Sequence, residues 1–232
     1  MNPLEIEFLG TGTSQGVPVI GCDCEICQSK NLKNKRLRSS VLIKSGNSYV
    51  VIDCGPDFRQ QMLRSKCQRL NAVVLTHEHM DHISGLDDVR PFNFKTKLDM
   101  PVYCTKRVEN RLKEQFSYAF SAEKYPGSPG FEIININSNE NFKIGNQRWT
   151  PILAQHGTWP VTGFRIQDFV YMTDISGISK LESQKILGSK VLVINALRKS
   201  KHVSHFSLDE AISYAKSTKV PEVYLTHASH QL

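Results

Sequence analysis

"THEHMDH", residues 76–82, places three histidines and an aspartate in seven positions. Imidazole and carboxylate are ligands for Zn2+, Mn2+ or Fe2+, and several histidines with few aspartates suit these ions better than Ca2+ or Mg2+. His77 and His79, one residue apart in a loop, can turn to one ion. Asp81 and His82 are adjacent, so a helix starting there projects them differently and lets them reach a second ion. The stretch predicts two metals close together, and two metals need more than four ligands.

Working outward, the apolar run "NAVVLT" (71–76) leads into His77 as a β-strand would. Asp174 and His227 each directly follow a similar run, in "FVYMTD" and "EVYLTH", and His156 lies just beyond "TPILAQ". Singly, each is more often a structural residue than a ligand. As a set they complete what residues 76–82 lack, with one carboxylate bridging the ions. Other β-like runs are "LEIEFLG" (4–10), "SVLIKS" and "SYVVID" as a hairpin around Gly46-Asn47, "GFRIQ" and "KVLVINAL". Helical candidates interleave: residues 56–66, the segment after Asp81, "KRVENRLKEQFSYAF", "SKLESQKIL", and "SLDEAISYAKS" with Ser207 as N-cap and Glu210 three residues on. The reading is an α/β layered protein in which strand ends carry the chemistry.

The length, 232 residues, fits one domain over 1–232 with a sizeable core, and 40% apolar with 22% charged residues excludes disordered and coiled-coil classes. "MNPLEIEFLG" lacks a basic and an apolar signal region, and no apolar run is long enough to span a bilayer, so the expectation is a cytoplasmic protein with no membrane partner. Net charge is +7, with a basic run from Lys30 to Ser40. The plain reading is a solvated loop; the sharper one is a positive potential that gathers a phosphate-bearing substrate. Charge alone does not separate a small phosphate ester from RNA.

Cys22, Cys24 and Cys27 in "GCDCEIC" crowd together while Cys54, Cys67 and Cys104 are scattered, a pattern of metal binding rather than of a disulfide framework. C-x-C-x-x-C can surround one Zn2+ but leaves a tetrahedral site one ligand short, for which His202 and His230 are the open candidates. An independent zinc finger needs a further Cys or His pair nearby, and none is present.

"THEHMDH", with the earlier "FLGTGTS" and "VIDCG", resembles the metallo-β-lactamase superfamily over nearly the whole chain, through His156, Asp174, His205 and His227. The resemblance implies an αββα sandwich with a dinuclear site at one edge. It implies that His77, His79 and His156 hold one ion, that Asp81, His82 and His227 hold the other, and that Asp174 bridges. Asp53 then corresponds to a buried aspartate that supports the ligand loop. "GCDCEIC" with the terminal "LTHASHQL" is similar to the branch that contains the phosphoribosyl cyclic phosphodiesterases of phosphonate breakdown. That likeness implies a structural Zn2+ on Cys22, Cys24, Cys27 and His230, in a loop at about 20–30. His205, just before "FSLDEA", resembles the family's general acid, with His202 as the competing choice.

Two divalent ions, Zn2+ or Mn2+, can hold a hydroxide for in-line attack at phosphorus while a positioned acid protonates the leaving oxygen. The leading expectation is thus a phosphodiesterase for small or cyclic phosphodiesters; the aromatic residues of 95–135 (Phe116, Tyr118, Phe120, Tyr125) are a candidate pocket lining, although rings at helical spacing are more often core. A tRNA 3′-end processing-type ribonuclease is the alternative; the basic run supports it and the absence of a long Gly/Pro-rich arm opposes it. A role in pyrroloquinoline quinone biosynthesis is a third, and His79 argues against the oxygen-reducing diiron members, which carry Glu there. A structural or binding role leaves seven ligands unexplained. A homodimer is compatible with the sequence, though nothing in it specifies one.

Overall fold

The alternation in "LEIEFLG" and in the two runs flanking Gly46-Asn47 becomes an antiparallel meander of β1 (Glu5–Gly10), β2 (Ser40–Ser45) and β3 (Ser48–Ile52). Gly46 takes the left-handed φ of +57° that so short a hairpin turn requires. This computed structural model describes residues 3–232 and divides into two compact units: the chain up to Gly10 with Ser40–Ile136, and Thr11–Ser39 with Asn137–Leu232. Each unit is built on one mixed sheet. No helix among the described residues is long and apolar enough to cross a membrane.

In the first unit β3 pairs in parallel with β4 (Ala72–Val74), then follow β5 (Met100–Cys104) and β6 (Phe131–Asn135), also parallel. Parallel neighbours need crossovers, here the helix Phe58–Arg64 between β3 and β4 and Lys106–Gln115 between β5 and β6. Leu9, Leu42, Val51, Val73, Val102 and Leu112 share the core. Each such side chain contributes about 1.5–3 kcal/mol of burial free energy. Because β3 and β4 run the same way, Asp53 and the loop that opens at Leu75 leave the sheet at one edge.

The stretch 95–135 of this unit departs from the sequence reading in several ways. The sequence reading has no strands in 95–135, yet β5 and β6 lie there; Pro101 and the short "FEIIN" blur the pleat pattern. Of the aromatic residues of that span, the phenylalanines pack in the core: Phe116 meets Phe131 edge-on at 5.9 Å and Phe120 lies 5.7 Å from Phe131. Tyr118 donates its hydroxyl to Asp87, and Tyr125 is exposed. The single helix expected over "KRVENRLKEQFSYAF" breaks at Phe116, whose φ of −114° lets the ring turn into the core before Ser117–Phe120 resumes.

The second unit orders its strands β11-β8-β9-β10-β12-β13, with β7 beside β8: β7 (Phe142–Ile144), β8 (Gln147–His156), β9 (Trp159–Ile166), β10 (Phe169–Met172), β11 (Gly177–Ile178), β12 (Val191–Asn195) and β13 (Glu222–Thr226). β8, β9 and β10 are antiparallel in turn, and β10, β12 and β13 are parallel, so β8, β10 and β13 all point the same way. Their carboxyl ends deliver His156, Asp174 and His227 to a common edge. Between β12 and β13, helix Leu208–Thr218 opens on the expected capping box, Ser207 Oγ accepting from Glu210 N and Glu210 Oε2 accepting from Ser207 N (2.9 Å). "SKLESQKIL" is helical only at Lys180–Ser183; beyond it, tight turns such as Ile186 N to Ser183 O (3.1 Å) carry Ile186 into the core with Ile152, Leu192 and Ala215.

Candidate metal centre

In the first unit one buried carboxylate organises the donor loop. Asp53 follows β3 in a left-handed conformation (φ +64°) and accepts hydrogen bonds from Thr76 N (2.9 Å) and Thr76 Oγ1 (2.9 and 3.0 Å). Its Oδ2 also receives His82 Nδ1 at 2.7 Å. Full burial pushes the Asp53 carboxyl up, opposed by the charge and hydrogen bond of His82 and by Thr76. Thr76 Oγ1 in turn lies 3.0 Å from His77 Nδ1. A hydroxyl whose proton goes to Asp53 can only accept there, so His77 Nδ1 carries its proton and presents Nε2. His77 Nε2 and His79 Nδ1 sit 3.0 Å apart, and His82 Nε2 is 3.0 Å from Asp81 Oδ2.

The glycines of "VIDCG" and "HISG" make this closeness feasible. A Cβ on Gly55 would stand 2.0 Å from the carbonyl oxygen of Asp81, and one on Gly85 would stand 2.0 Å from that of Gly55. Cys54 N donates to His82 O (2.7 Å) and Gly85 N to Cys54 O (2.8 Å), which locks the short helix Met80–Ile83 against the turn after β3.

In the second unit His156 Nδ1 lies 2.7 Å from the main-chain oxygen of Ser204. A carbonyl only accepts, so His156 donates through Nδ1 and keeps its lone pair on Nε2. Asp174 (φ +56°) and His227 (φ +57°) both occupy the left-handed region, a strain that clusters at functional sites. Asp174 Oδ2 accepts from Thr173 Oγ1 (2.6 Å) and lies 3.2 Å from His227 Nδ1, and Ser39 Oγ accepts from His227 N (3.1 Å). The Asn195 side chain clamps the turn beyond Asp174 through Ile175 N (2.8 Å) and O (3.1 Å).

His205 stands among these groups, with ring centroids 4.5 Å from His156 and 5.0 Å from His227, and its Nδ1 is 3.7 Å from Asp174 Oδ1. Burial drives its pKa down to about 3 despite Asp174, with His227, His156 and His202 adding to the fall. His156, Asp174 and His205 offer ligand atoms all within 4.8 Å of one another, so His205 is within reach of a ligand role as well as an acid role. His202 lies further out, its ring 5.1 Å from that of His205; burial, Arg198 and His156 hold its pKa below the ordinary value.

The cysteine cluster is also assembled within the second unit. Cys22, Cys24 and Cys27 each place Sγ 3.3 Å from His230 Nδ1, whereas His202 is not part of the group. Four donors so spaced fit a tetrahedral ion, for which Zn–S of about 2.3 Å and Zn–N of about 2.0–2.1 Å give edges near these lengths. Hydrogen bonds from the Cys27 main chain, Cys22, His230 and Cys27 lower Cys24 to about 6 against the opposing effect of burial. The thiolate that a metal needs is therefore accessible at neutral pH. The basic run beside it is partly committed to internal bonds: Arg36 N and O bridge Val17, and Arg38 Nε donates to Ser14 O (3.0 Å).

Thr76, Ser204 and Asn195 are supporting residues that the sequence reading misses. Thr76 was visible beside His77; the Ser204 carbonyl is a main-chain group with no sequence signal.

The sequence pattern of the β-lactamase superfamily domain matches residues 48–228, across both units, and the chain belongs to that superfamily, with the metallo-β-lactamase fold. Within it the chain lies in the PhnP-like branch: the crystal structure of a diphosphatase from the PhnP family is 36% identical, covers 99% of this chain and 88% of that one, and superposes with a TM-score of 0.92. An octanoyltransferase of Porphyromonas gingivalis is 36% identical over 225 residues, 96% of this chain and 45% of that protein. Ribonuclease Z of Macrococcus caseolyticus is 28% identical over 166 residues, 69% of this chain and 49% of that one. The chain spans about half the length of these two curated relatives.

Proposed function

We propose that the chain is a metal-dependent hydrolase of small or cyclic phosphodiesters. His77, His79, Asp81 and His82 of the first unit and His156, Asp174 and His227 of the second would hold two divalent ions, Zn2+ or Mn2+. Cys22, Cys24, Cys27 and His230 hold a structural Zn2+. The observation that carries the reading is the anchoring of His77, His82 and His156, each fixed at Nδ1 by an oxygen at 2.7–3.0 Å. Histidines that ligate metals are oriented in this way by a carboxylate, carbonyl or hydroxyl behind the ring.

Divalent ions there would supply the nucleophile by lowering the pKa of water and would neutralise the phosphate oxygens. The chain's own contribution is positional. Asp53 and Thr76 fix two imidazoles in one tautomer, and the Ser204 carbonyl fixes a third. His205, which burial holds neutral, would take up a proton as an anionic substrate settles beside it and pass that proton to the leaving oxygen, a role worth about 10²–10⁴ in rate. The relatives support phosphoryl chemistry, one being a diphosphatase and another a ribonuclease Z. The identity to an octanoyltransferase favours a second reading, in which the same site cleaves an acyl ester or thioester.

Purified protein supplied with Zn2+ or Mn2+ tests this on bis-p-nitrophenyl phosphate, ribose cyclic phosphates, a dinucleoside diphosphate, a precursor tRNA and an octanoyl thioester. Turnover of the small phosphoryl substrates, abolished by EDTA, is expected. Activity confined to the thioester or to tRNA would replace the phosphodiesterase reading.

A further inference from the structure

Ser14, Arg198, His202, His205, Ser229 and Gln231 help to line a cavity of about 310 Å³ in the second unit. No carboxylate and no Phe, Tyr or Trp is among its lining residues. Its permanent charge is Arg198, on the turn after β12, whose Nε and Nη2 donate to the carbonyls of Ser200 (3.4 Å) and Lys201 (2.9 Å). A guanidinium has five N–H donors in a rigid fork, so two carbonyl contacts orient it and leave donors for a ligand.

The walls are fixed in advance. Thr13 N donates to Ala228 O (3.2 Å), Arg38 Nε to Ser14 O (3.0 Å) and Arg36 Nη1 to Ser229 O (3.5 Å). His230, another lining residue, belongs to the cysteine cluster. A cavity with a positioned cation, no opposing carboxylate and many hydroxyl and amide groups selects an anionic, hydrogen-bonding ligand. Without Phe, Tyr or Trp its flat faces belong to His202, His205, His230 and Arg198, of which His230 is committed to the cysteine cluster and Arg198 to two carbonyls, which leaves little platform for a stacked nucleobase.

We infer that Arg198 is a specificity-determining residue that receives a second anionic group, carried on an aliphatic tail of the substrate, in the cavity beside His205. This rests on the hydrolase reading above. A charge-assisted contact of this kind is worth roughly 10–100-fold in recognition.

The test compares three p-nitrophenyl phosphodiesters whose second ester group is methyl, 3-carboxypropyl or 3-phosphonopropyl, the last two separating carboxylate from phosphate-like recognition. The wild type is expected to favour one anionic tail by at least ~10-fold in kcat/KM, through KM. Arg198→Gln should bring that ratio near unity, and Arg198→Lys should keep part of it, since a lysine retains the charge but not the fork. Arg69→Gln, the same charge change in the first unit, controls for net charge. Calorimetric binding of glycerol 3-phosphate to the protein as purified gives a readout independent of turnover, expected to weaken ~10-fold or more in Arg198→Gln. Absence of an anionic preference in the wild type, or its persistence in Arg198→Gln, would overturn the inference. If no diester is cleaved the hydrolase reading fails, and the binding arm alone then decides for or against Arg198.

Discussion

The two units present their candidate ligands by opposite means. The first packs His77, His79, Asp81 and His82 into one loop and hangs two of those imidazoles on a single buried carboxylate, Asp53. The second collects His156, Asp174 and His227 from the ends of three strands, each held by a different local device: the Ser204 carbonyl, the Thr173 hydroxyl with the Asn195 clamp, and Ser39. A local motif concentrates its dependence on one residue, while an arrangement made by topology spreads it over backbone and neighbours.

The largest expected effect sharpens the second half of that comparison. His205→Ala should lower turnover by about 10²–10⁴ if the residue donates a proton. Metal analysis of the variant separates the two roles its position allows: an unchanged metal content fits an acid, and a lost equivalent fits a ligand. Next, Asp53→Ala tests the concentrated dependence of the first unit. Deprived of their shared acceptor, His82 and Thr76 lose their orientation, and metal affinity measured by chelator competition should fall by about 10–100-fold. Asn195→Ala, which removes only one of several supports in the second unit, should cost less than Asp53→Ala in the same assay.

Cys24→Ser should remove one equivalent of Zn2+ per chain and lower the Tm, while the ions of the active site stay. A full metal complement in that variant would count against the structural site.

The smallest effect concerns a carboxylate that offers no ligand to the site. Lys106, Lys113 and Asn135 hold Glu109 at about 2, at distances of 2.8, 2.5 and 2.9 Å. A depressed carboxylate stabilises the fold above its unfolded pKa of ~4.3. That contribution fades as pH falls from there towards about 2. Glu109→Gln should therefore cost about 1–2 kcal/mol in urea unfolding at pH 7 and progressively less below pH ~4. An equal loss at both ends would assign the effect to packing.

The same contrast explains what was legible beforehand. Residues 76–82 could be read because their ligands are neighbours in sequence, and β4 and β13 could be read because continuous apolar runs precede His77 and His227. The cysteine cluster was legible on one side only: spacing gave three ligands, and the choice of His230 over His202 came from resemblance until the fold placed His230 beside them. The Ser204 carbonyl, the Asn195 clamp and the left-handed backbone at Asp174 and His227 arise from chain crossings far apart in sequence, where side-chain identity carries no signal. The aromatic residues of 95–135 stay open to two readings in the sequence because rings at helical spacing look alike whether they line a pocket or, like Phe116, fill a core.

The claim on which the rest depends is that donors of both units hold a pair of divalent ions besides the ion of the cysteine cluster. Metal content per chain, measured by atomic emission for the wild type, Cys24→Ser and His77→Ala, tests it most directly. The account predicts two equivalents beyond the one lost in Cys24→Ser, with at least one of those two lost in His77→Ala. A single equivalent in the wild type that disappears in Cys24→Ser and is untouched in His77→Ala would contradict it.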